Sequence, residues 1–198
     1  MPAMSLPAAP PSDAPPPAPP PATRADVRVV AVDAALAPAV RALQVAPEQW
    51  PFVGDTGANL DQARADPASE AMAVLAGERV VGFYRLDFAA AAIAGRAFAE
   101  PSVGLRSYLI DRDAQGRGYG RAAIAACCDD LRRRHPRTRL LALTVNVRNA
   151  AAIAAYRKAG FADTGELYLG GSAGPQHLML LRLHPETVSS SPEPAHAP

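Results

Sequence analysis

The stretch "DAQGRGYGR", Asp113 to Arg121, limits the folds open to this chain more than any other segment does. Its three glycines, Gly116, Gly118 and Gly120, let backbone approach another group with no side chain in the way. The run follows "VGLRSYLID", which alternates as a strand does. It precedes a segment in which Ile124, Cys127, Cys128 and Leu131 recur at helical spacing until Pro136. A glycine-rich turn from strand into helix aims the helix's first N–H groups, and the positive end of its dipole, at whatever lies beyond. An anion there gains roughly 0.3–1 kcal/mol, rising to about 2 kcal/mol when partly buried. Gln115, Gly116, Gly118, Tyr119 and Gly120 are therefore expected to cradle a phosphate, with Arg117 and Arg121 adding charge-assisted bonds.

Three phosphate loops use such glycines. A Walker A loop needs four residues between its glycines and then Gly-Lys-Ser/Thr, a tripeptide missing from this sequence. A dinucleotide fingerprint needs G-x-G-x-x-G beside the first strand of a βαβ unit. Here the spacing is G-x-G-x-G, Arg121 stands where the third glycine would fall, and the run lies mid-chain. The third reading is a strand, then Gln-x-x-Gly-x-Gly, then a helix, which Gln115, Gly118 and Gly120 supply.

Around this loop the chain divides into three. Residues 1–24 are rich in proline and alanine, with ten of the 21 prolines between Met1 and Ala22, and are expected to be a disordered tail. Residues 185–198, "PETVSSSPEPAHAP", read as a second one. Residues 25–184 form one domain. Within it "DVRVVAV" is a strand, "AALAPAVRALQV" and "NLDQARAD" are short helices, and "AMAVLA" and "RVVGFYRLDF" form a hairpin across "GE". After the glycine loop and its helix comes "RLLALTV", apolar throughout, as the buried middle of a sheet requires. Asn149 can cap a helix that ends at Gly160, and two strands follow, near Phe161–Leu169 and Gln176–Leu183. The order predicts a mixed α/β (α+β) domain built on one sheet.

Composition narrows the function. A formal charge of +1 gives no electrostatic case for nucleic acid or an anionic membrane as partner. The apolar run "FAAAAIA", Phe88–Ala94, is far too short to span a bilayer, and no signal peptide is recognisable. The only cysteines, Cys127 and Cys128, are adjacent and read as packed thiols, and no metal-ligand spacing is present, so a cytoplasmic protein without metal is expected. His135, His177, His184 and His196 read as packed or solvated side chains.

"QGRGYG" resembles the Gln/Arg-x-x-Gly-x-Gly/Ala motif of the GNAT superfamily of N-acetyltransferases, and "LTVNVRNAAAIAAYRKAGF" resembles that family's second signature, a strand ending in asparagine, a capped helix and Tyr-x-Lys-x-Gly-Phe. The resemblance spans roughly Ala25 to His184. It implies a mixed, mostly antiparallel sheet flanked by helices, with two central strands splayed apart, and acetyl-CoA as co-substrate. Those strands would be "VGLRSYLID" and "RLLALTV", which makes main-chain groups at Leu109, Ile110 and Asp111 candidates for orienting the acetyl group. Asn146 resembles the asparagine that contacts the cofactor's arm, and Asn149 either joins it or serves as the helix cap.

The family implies that Tyr156 protonates the leaving thiolate. A phenol near pKa 10 facing a thiol near 8.5 is uphill by only about 2 kcal/mol. The amine, with a pKa near 10.4, must lose a proton. Glu100 is the first candidate for the base, and Asp87, Glu166 or a water chain are alternatives.

The acceptor is less sharply marked. "VAPEQWPFVGDTGANLDQA" resembles the entry segment of bacterial spermine/spermidine-type acetyltransferases at Pro47, Gln49, Phe52, Val53, Leu60 and Ala63, with Trp50 as an extra aromatic. A polyamine would want carboxylates, and Glu48, Asp55, Asp61, Asp66 and Glu70 are available. A small primary amine, polyamine-like first, is thus the expected partner. An amino acid, an aminoglycoside or a protein N-terminus is the alternative acceptor, and a non-catalytic acyl-CoA-binding module or a nucleotide-binding protein the alternative class. A homodimer through the last strand is possible but nothing in the sequence requires it.

Overall fold

The computed structural model describes residues 26–184 except 90, 92 and 172. Both expected tails lie outside the described residues. The alternating run near the start becomes β1 (Val27–Ala31). The helix expected after it is short: α1 is only Ala37–Arg41, with proline in its first turn. A single 3-10 turn, Pro47–Gln49, leads into α2 (Trp50–Val53), and α3 (Thr56–Ala65) starts where the Asp55 carboxylate accepts from Ala58 N at 2.7 Å. β2 (Ser69–Ala76) and β3 (Arg79–Asp87) form the expected hairpin, and Gly77 takes φ +60°, as a two-residue turn with glycine first requires.

β4 (Ser102–Ile110), α4 (Tyr119–Arg134), β5 (Leu140–Asn146), α5 (Ala150–Lys158), β6 (Ala162–Tyr168) and β7 (Gln176–Arg182) complete the chain. The strands lie in the order β1-β2-β3-β4-β5-β7-β6, antiparallel throughout except for β4 and β5. One face of the sheet packs Ala73, Leu75, Phe83 and Leu109 against Val40 of α1 and Leu60 of α3. The other packs Tyr84, Leu86, Leu143 and Met179 against Ile124, Cys127 and Leu131 of α4 and Ile153 of α5. Each large side chain so buried stabilises the fold by roughly 1.5–3 kcal/mol. The long connection after β3 folds back over the first face, where Ile93 meets Ala142 and Leu178. No helix among the described residues is long and apolar enough to cross a membrane.

The parallel pair positions the site. β4 and β5 are in register only at Ser102–Leu140, Val103–Leu141 and Gly104–Ala142. Beyond Gly104 the two diverge, while β4 continues to pair with β3 as far as Ile110 and β5 pairs with β7 along its whole length. Two features bend β4 away. A register shift opposite Phe83–Arg85 gives β4 an extra residue, and Ser107 there adopts φ +50°, the left-handed region that a side chain rarely takes. Ser107 Oγ donates to Asn59 Oδ1 at 2.7 Å, which fixes the bulge to α3.

Candidate active site

The glycine loop is built at the far end of β4. Asp111, just past the strand, accepts from Asp113 N and Gln44 N, each at 3.0 Å, and its own N–H donates to Val81 O at 2.8 Å. Its carboxylate thus caps the turn Arg112–Ala114 and its amide belongs to the pairing with β3. Strand alternation gives Leu109, opposite Phe83, the same orientation. Of the three residues expected to orient an acyl carbonyl, only Ile110 turns its peptide toward the opening. Its carbonyl accepts from Gln115 Nε2 at 2.9 Å.

Next, Gly116 (φ +75°) and Gly118 (φ +80°) both take left-handed conformations, and Gly118 is the residue before α4. A Cβ on Gly116 would meet nothing within 4 Å, so the loop is open on that side. Gly120 lies within the first turn of α4. Tyr119 turns its side chain into the core, so any part it plays in a cradle is through backbone, while Arg117 and Arg121 are exposed. A pyrophosphate fits such a turn, because the helix end offers donors and positive potential with no side chain in the way.

Where β4 and β5 part, a cleft of about 510 Å³ opens through the sheet. On the side of α4 and α5 it is lined by Ala152 and Tyr156, and on the opposite side by Phe52, Ile93 and Arg106. The Tyr156 ring stands edge-on to Phe161, with centroids 5.5 Å apart, and to Tyr108, at 6.1 Å. Burial raises the Tyr156 phenol well above its ordinary range, so it stays protonated at neutral pH and can donate. Sequence reasoning missed Tyr108, which also lines the cleft. Its hydroxyl is committed, donating to Gly120 O at 2.5 Å and so tying β4 to the first turn of α4. No local pattern marks it; only the register of the bulged strand brings it there.

Asn146 and Asn149 reach the same cleft from the end of β5. Asn146 is buried, donates through Nδ2 to Ala173 O at 2.8 Å and accepts from Arg148 N at 2.9 Å, which holds the β6–β7 connection over the opening. Asn149 accepts from Ala152 N at 3.1 Å and caps α5.

The sequence pattern of the acetyltransferase (GNAT) family matches residues 37–161, from α1 to the end of α5 and Phe161. This chain belongs to the GNAT family. Solved structures with the same fold include the aminoglycoside acetyltransferase AAC(6')-Ib bound to coenzyme A, at TM-score 0.60 and 17% identity over 79% of this chain and 94% of that one. The spermidine N-acetyltransferase of Vibrio cholerae with CoA and spermine matches at TM-score 0.59 and 16% identity, over 80% and 96% of the two chains. The ribosomal-protein-S18-alanine N-acetyltransferase of Escherichia coli matches at 0.55 and 18%, over 82% and 97%. No curated protein matches the chain.

In this GNAT acetyltransferase the expected bases are placed apart from the cleft or engaged by arginines. Glu100 precedes the paired end of β4 and is not among the residues that line the cleft. It pairs with Arg182 at 2.9 Å and lines a separate groove of about 770 Å³ between α4 and the end of α5, which Arg121 lines as well. Asp87 is buried beneath Arg106, with Oδ2 3.6 Å from Nη1. Glu166 pairs with Arg96 at 2.7 Å.

The segment whose sequence resembles spermidine-type enzymes lies partly on the face opposite α5. Pro51, Phe52 and Val53 line the cleft, whereas Leu60 and Ala63 are buried in the core and Trp50 is half exposed at the surface. The five carboxylates considered for a polyamine are elsewhere. Asp55 caps α3, Asp61 pairs with Arg41, Asp66 accepts from Ala68 N and Ser69 Oγ, Glu70 pairs with Arg134, and Glu48 is exposed. Among the described residues that line the cleft there is no carboxylate, and Arg106 is the charged one.

Proposed function

We propose that the protein transfers the acetyl group of acetyl-CoA to the primary amine of a small molecule. The observation that carries this reading is the three-residue parallel pair that opens into a cleft through the sheet, with Tyr156 and Tyr108 on one wall and the Tyr108 hydroxyl bonded to Gly120 of the glycine loop. The loop Gln115–Gly120 with the start of α4 would hold the pyrophosphate, and the unpaired edge of β4 at Ile110 the acyl arm. The donor and the amine then approach from opposite faces. As the C–N bond forms and the C–S bond breaks, Tyr156 gives its proton to the departing sulfur. Burial that makes the phenol a weaker acid also makes a thiolate in the same place costlier, so the two effects offset. With no carboxylate in the described lining, the amine's proton leaves through water.

The likeness of Pro47–Ala63 to spermidine-type enzymes supports a polyamine acceptor, whereas the cleft lining supports an amine of lower positive charge. A cytoplasmic setting goes with the buried, unbridged thiols of Cys127 and Cys128. The last strand, β7, expected to carry a homodimer, is paired on both edges by β5 and β6, so a homodimer through a sheet edge would use an outer strand, β1 or β6. Turnover of acetyl-CoA across an amine panel, compared with Tyr156→Phe, tests the central reading. Thermal stabilisation by CoA without turnover on any amine would make the domain a binding module, and stabilisation by ATP or NAD but not by CoA would sink the assignment.

A further inference from the structure

Tyr108 stands where the cleft meets the glycine loop, and it faces that way because of the bulge before it. Val103 and Leu105 pack on the α4 side of the sheet, and strict alternation from them would turn Tyr108 toward α3. The extra residue at Ser107 reverses the phase. Tyr108 and Ile110 therefore pack on the α4 side, while Leu109 packs with Val40 and Leu60 of α1 and α3. The half-buried Tyr108 ring is tilted against the fully buried Tyr84, with centroids 6.0 Å apart, and edge-on to Tyr156 at 6.1 Å.

The hydroxyl of that ring donates to Gly120 O at 2.5 Å. A Cβ on Gly120 would meet Tyr108 Oη at 3.7 Å and Ile110 Cγ1 at 3.6 Å, so β4 and the first turn of α4 are in ordinary packing contact there. The first ladder bond at this end of α4 runs from Ala122 N to Gly118 O at 3.2 Å. The Arg121 N–H lies ahead of that bond, among the donors for which a helix has no carbonyl of its own. Gly120 O and the Arg121 N–H belong to one planar trans peptide and point opposite ways. A phenol that holds the carbonyl therefore also aims the amide, off the N-terminal end of α4.

On the acetyl-transfer reading above, we propose that Tyr108 is a positioning residue for the donor: its hydroxyl sets the peptide that meets the pyrophosphate, and its ring braces Tyr156. One side chain thereby couples the phosphate cradle to the proton donor. Burial raises the Tyr108 phenol above its ordinary range, so the hydroxyl keeps its proton and stays a donor at neutral and mildly alkaline pH. Neither role requires contact with the amine.

The test compares CoA with pantetheine, the same arm without pyrophosphate or nucleotide, on the wild-type protein, Tyr108→Phe and Tyr108→Leu. Calorimetry gives the affinity for CoA, and displacement of CoA gives that for pantetheine. Tyr108→Phe keeps the ring and removes the bond. Loss of one hydrogen bond predicts that the preference for CoA over pantetheine narrows by about 2- to 10-fold. Tyr108→Leu removes the ring as well, and with acetyl-CoA and the fastest amine of the panel its kcat falls about 2- to 10-fold below that of Tyr108→Phe. A cooperative denaturant transition verifies that each variant is folded. A CoA preference left unchanged by Tyr108→Phe, whether both affinities shift alike or neither shifts, overturns the hydroxyl's role and leaves acetyl transfer standing. Equal kcat in the two variants overturns the bracing of Tyr156. Binding of CoA without turnover on any amine overturns acetyl transfer and leaves the affinity comparison decisive for Tyr108. A wild-type protein that does not bind CoA overturns both.

Discussion

Gln115 Nε2 donates to Gln49 Oε1 at 2.9 Å, across 66 positions of sequence, joining the glycine loop to the turn that leads into α2. Gln49 Oε1 also accepts from Ala46 N at 3.1 Å, and nearby Arg112 N donates to Gln44 O at 2.7 Å. The glycine loop and the wall bearing Phe52 and Val53 are therefore one mechanical unit. Gln49→Ala is expected to raise KM for acetyl-CoA as well as for the amine, although Gln49 lies in the turn before α2 and not in the glycine loop. A single bond of this kind contributes about 0.5–1.5 kcal/mol, or roughly 2- to 10-fold. Combined with Gln115→Ala, Gln49→Ala costs less than the sum of the two, because the Gln49–Gln115 contact is shared while the bonds to Ile110 O and from Ala46 N are not, and initial-rate kinetics on the two single variants and the double variant check this.

Tyr156→Phe removes one hydroxyl and keeps the ring between Tyr108 and Phe161. The expected result is a fall in kcat of about 10²–10⁴-fold with KM for acetyl-CoA little changed. An unchanged kcat would leave Tyr156 a packing residue.

Gly82 sits where β3 carries the bend of β4. A Cβ there would lie 2.6 Å from Leu109 O and 2.8 Å from Ile110 Cδ1. The first of these is backbone and cannot rotate aside, so Gly82→Ala must displace β4 next to the opening. Overpacking predicts a loss of about 1–3 kcal/mol in denaturant unfolding. It also predicts a lower kcat/KM, since Ile110 moves with the strand.

Alkaline pH should weaken the fold for a definite reason. Burial raises the thiol of Cys127 to about 12 and that of Cys128 to about 11, and raises the phenols of Tyr84, Tyr108 and Tyr156 above their ordinary range. Between the ordinary and the raised values the unfolded chain has lost protons that the folded chain still holds. The sign of the linkage then makes stability fall as pH rises, beginning near about pH 9 and steepening above about 10. Denaturant midpoints from about pH 7 to about 10.5 measure this, and Cys127→Ser flattens the early part of the decline. Both thiols will resist alkylation at about pH 8 until the protein is unfolded.

What was legible in the sequence was local. Gly118, Gly120, Asn149 and Tyr156 are separated by helix and loop spacings that fix their neighbours, so motif and geometry coincide at the ends of α4 and α5. Glu100 shows the limit. It adjoins β4 in sequence, yet it lies at the paired end of that strand, and only the point at which β4 and β5 part decides which end lines the cleft. Tyr108 owes its place to the Ser107 bulge, whose left-handed residue is a serine and so carries no glycine signal. Asp111 read as a cofactor neighbour because the partner it caps, Gln44, is 67 positions away.

The opening between β4 and β5 is in effect a sheet edge turned inward, two facing rows of peptide groups that a continuous sheet would have joined. Exterior edges invite other chains, but this one is shut between strands anchored on both outer sides, so a guest that pairs with it must be slender and carry amides of its own. An acyl-CoA's pantetheine arm has that form. On the proposed reading such an arm would complete the sheet for one catalytic cycle as a removable strand, and the donor would be recognised by the same hydrogen-bond pattern that folds the protein.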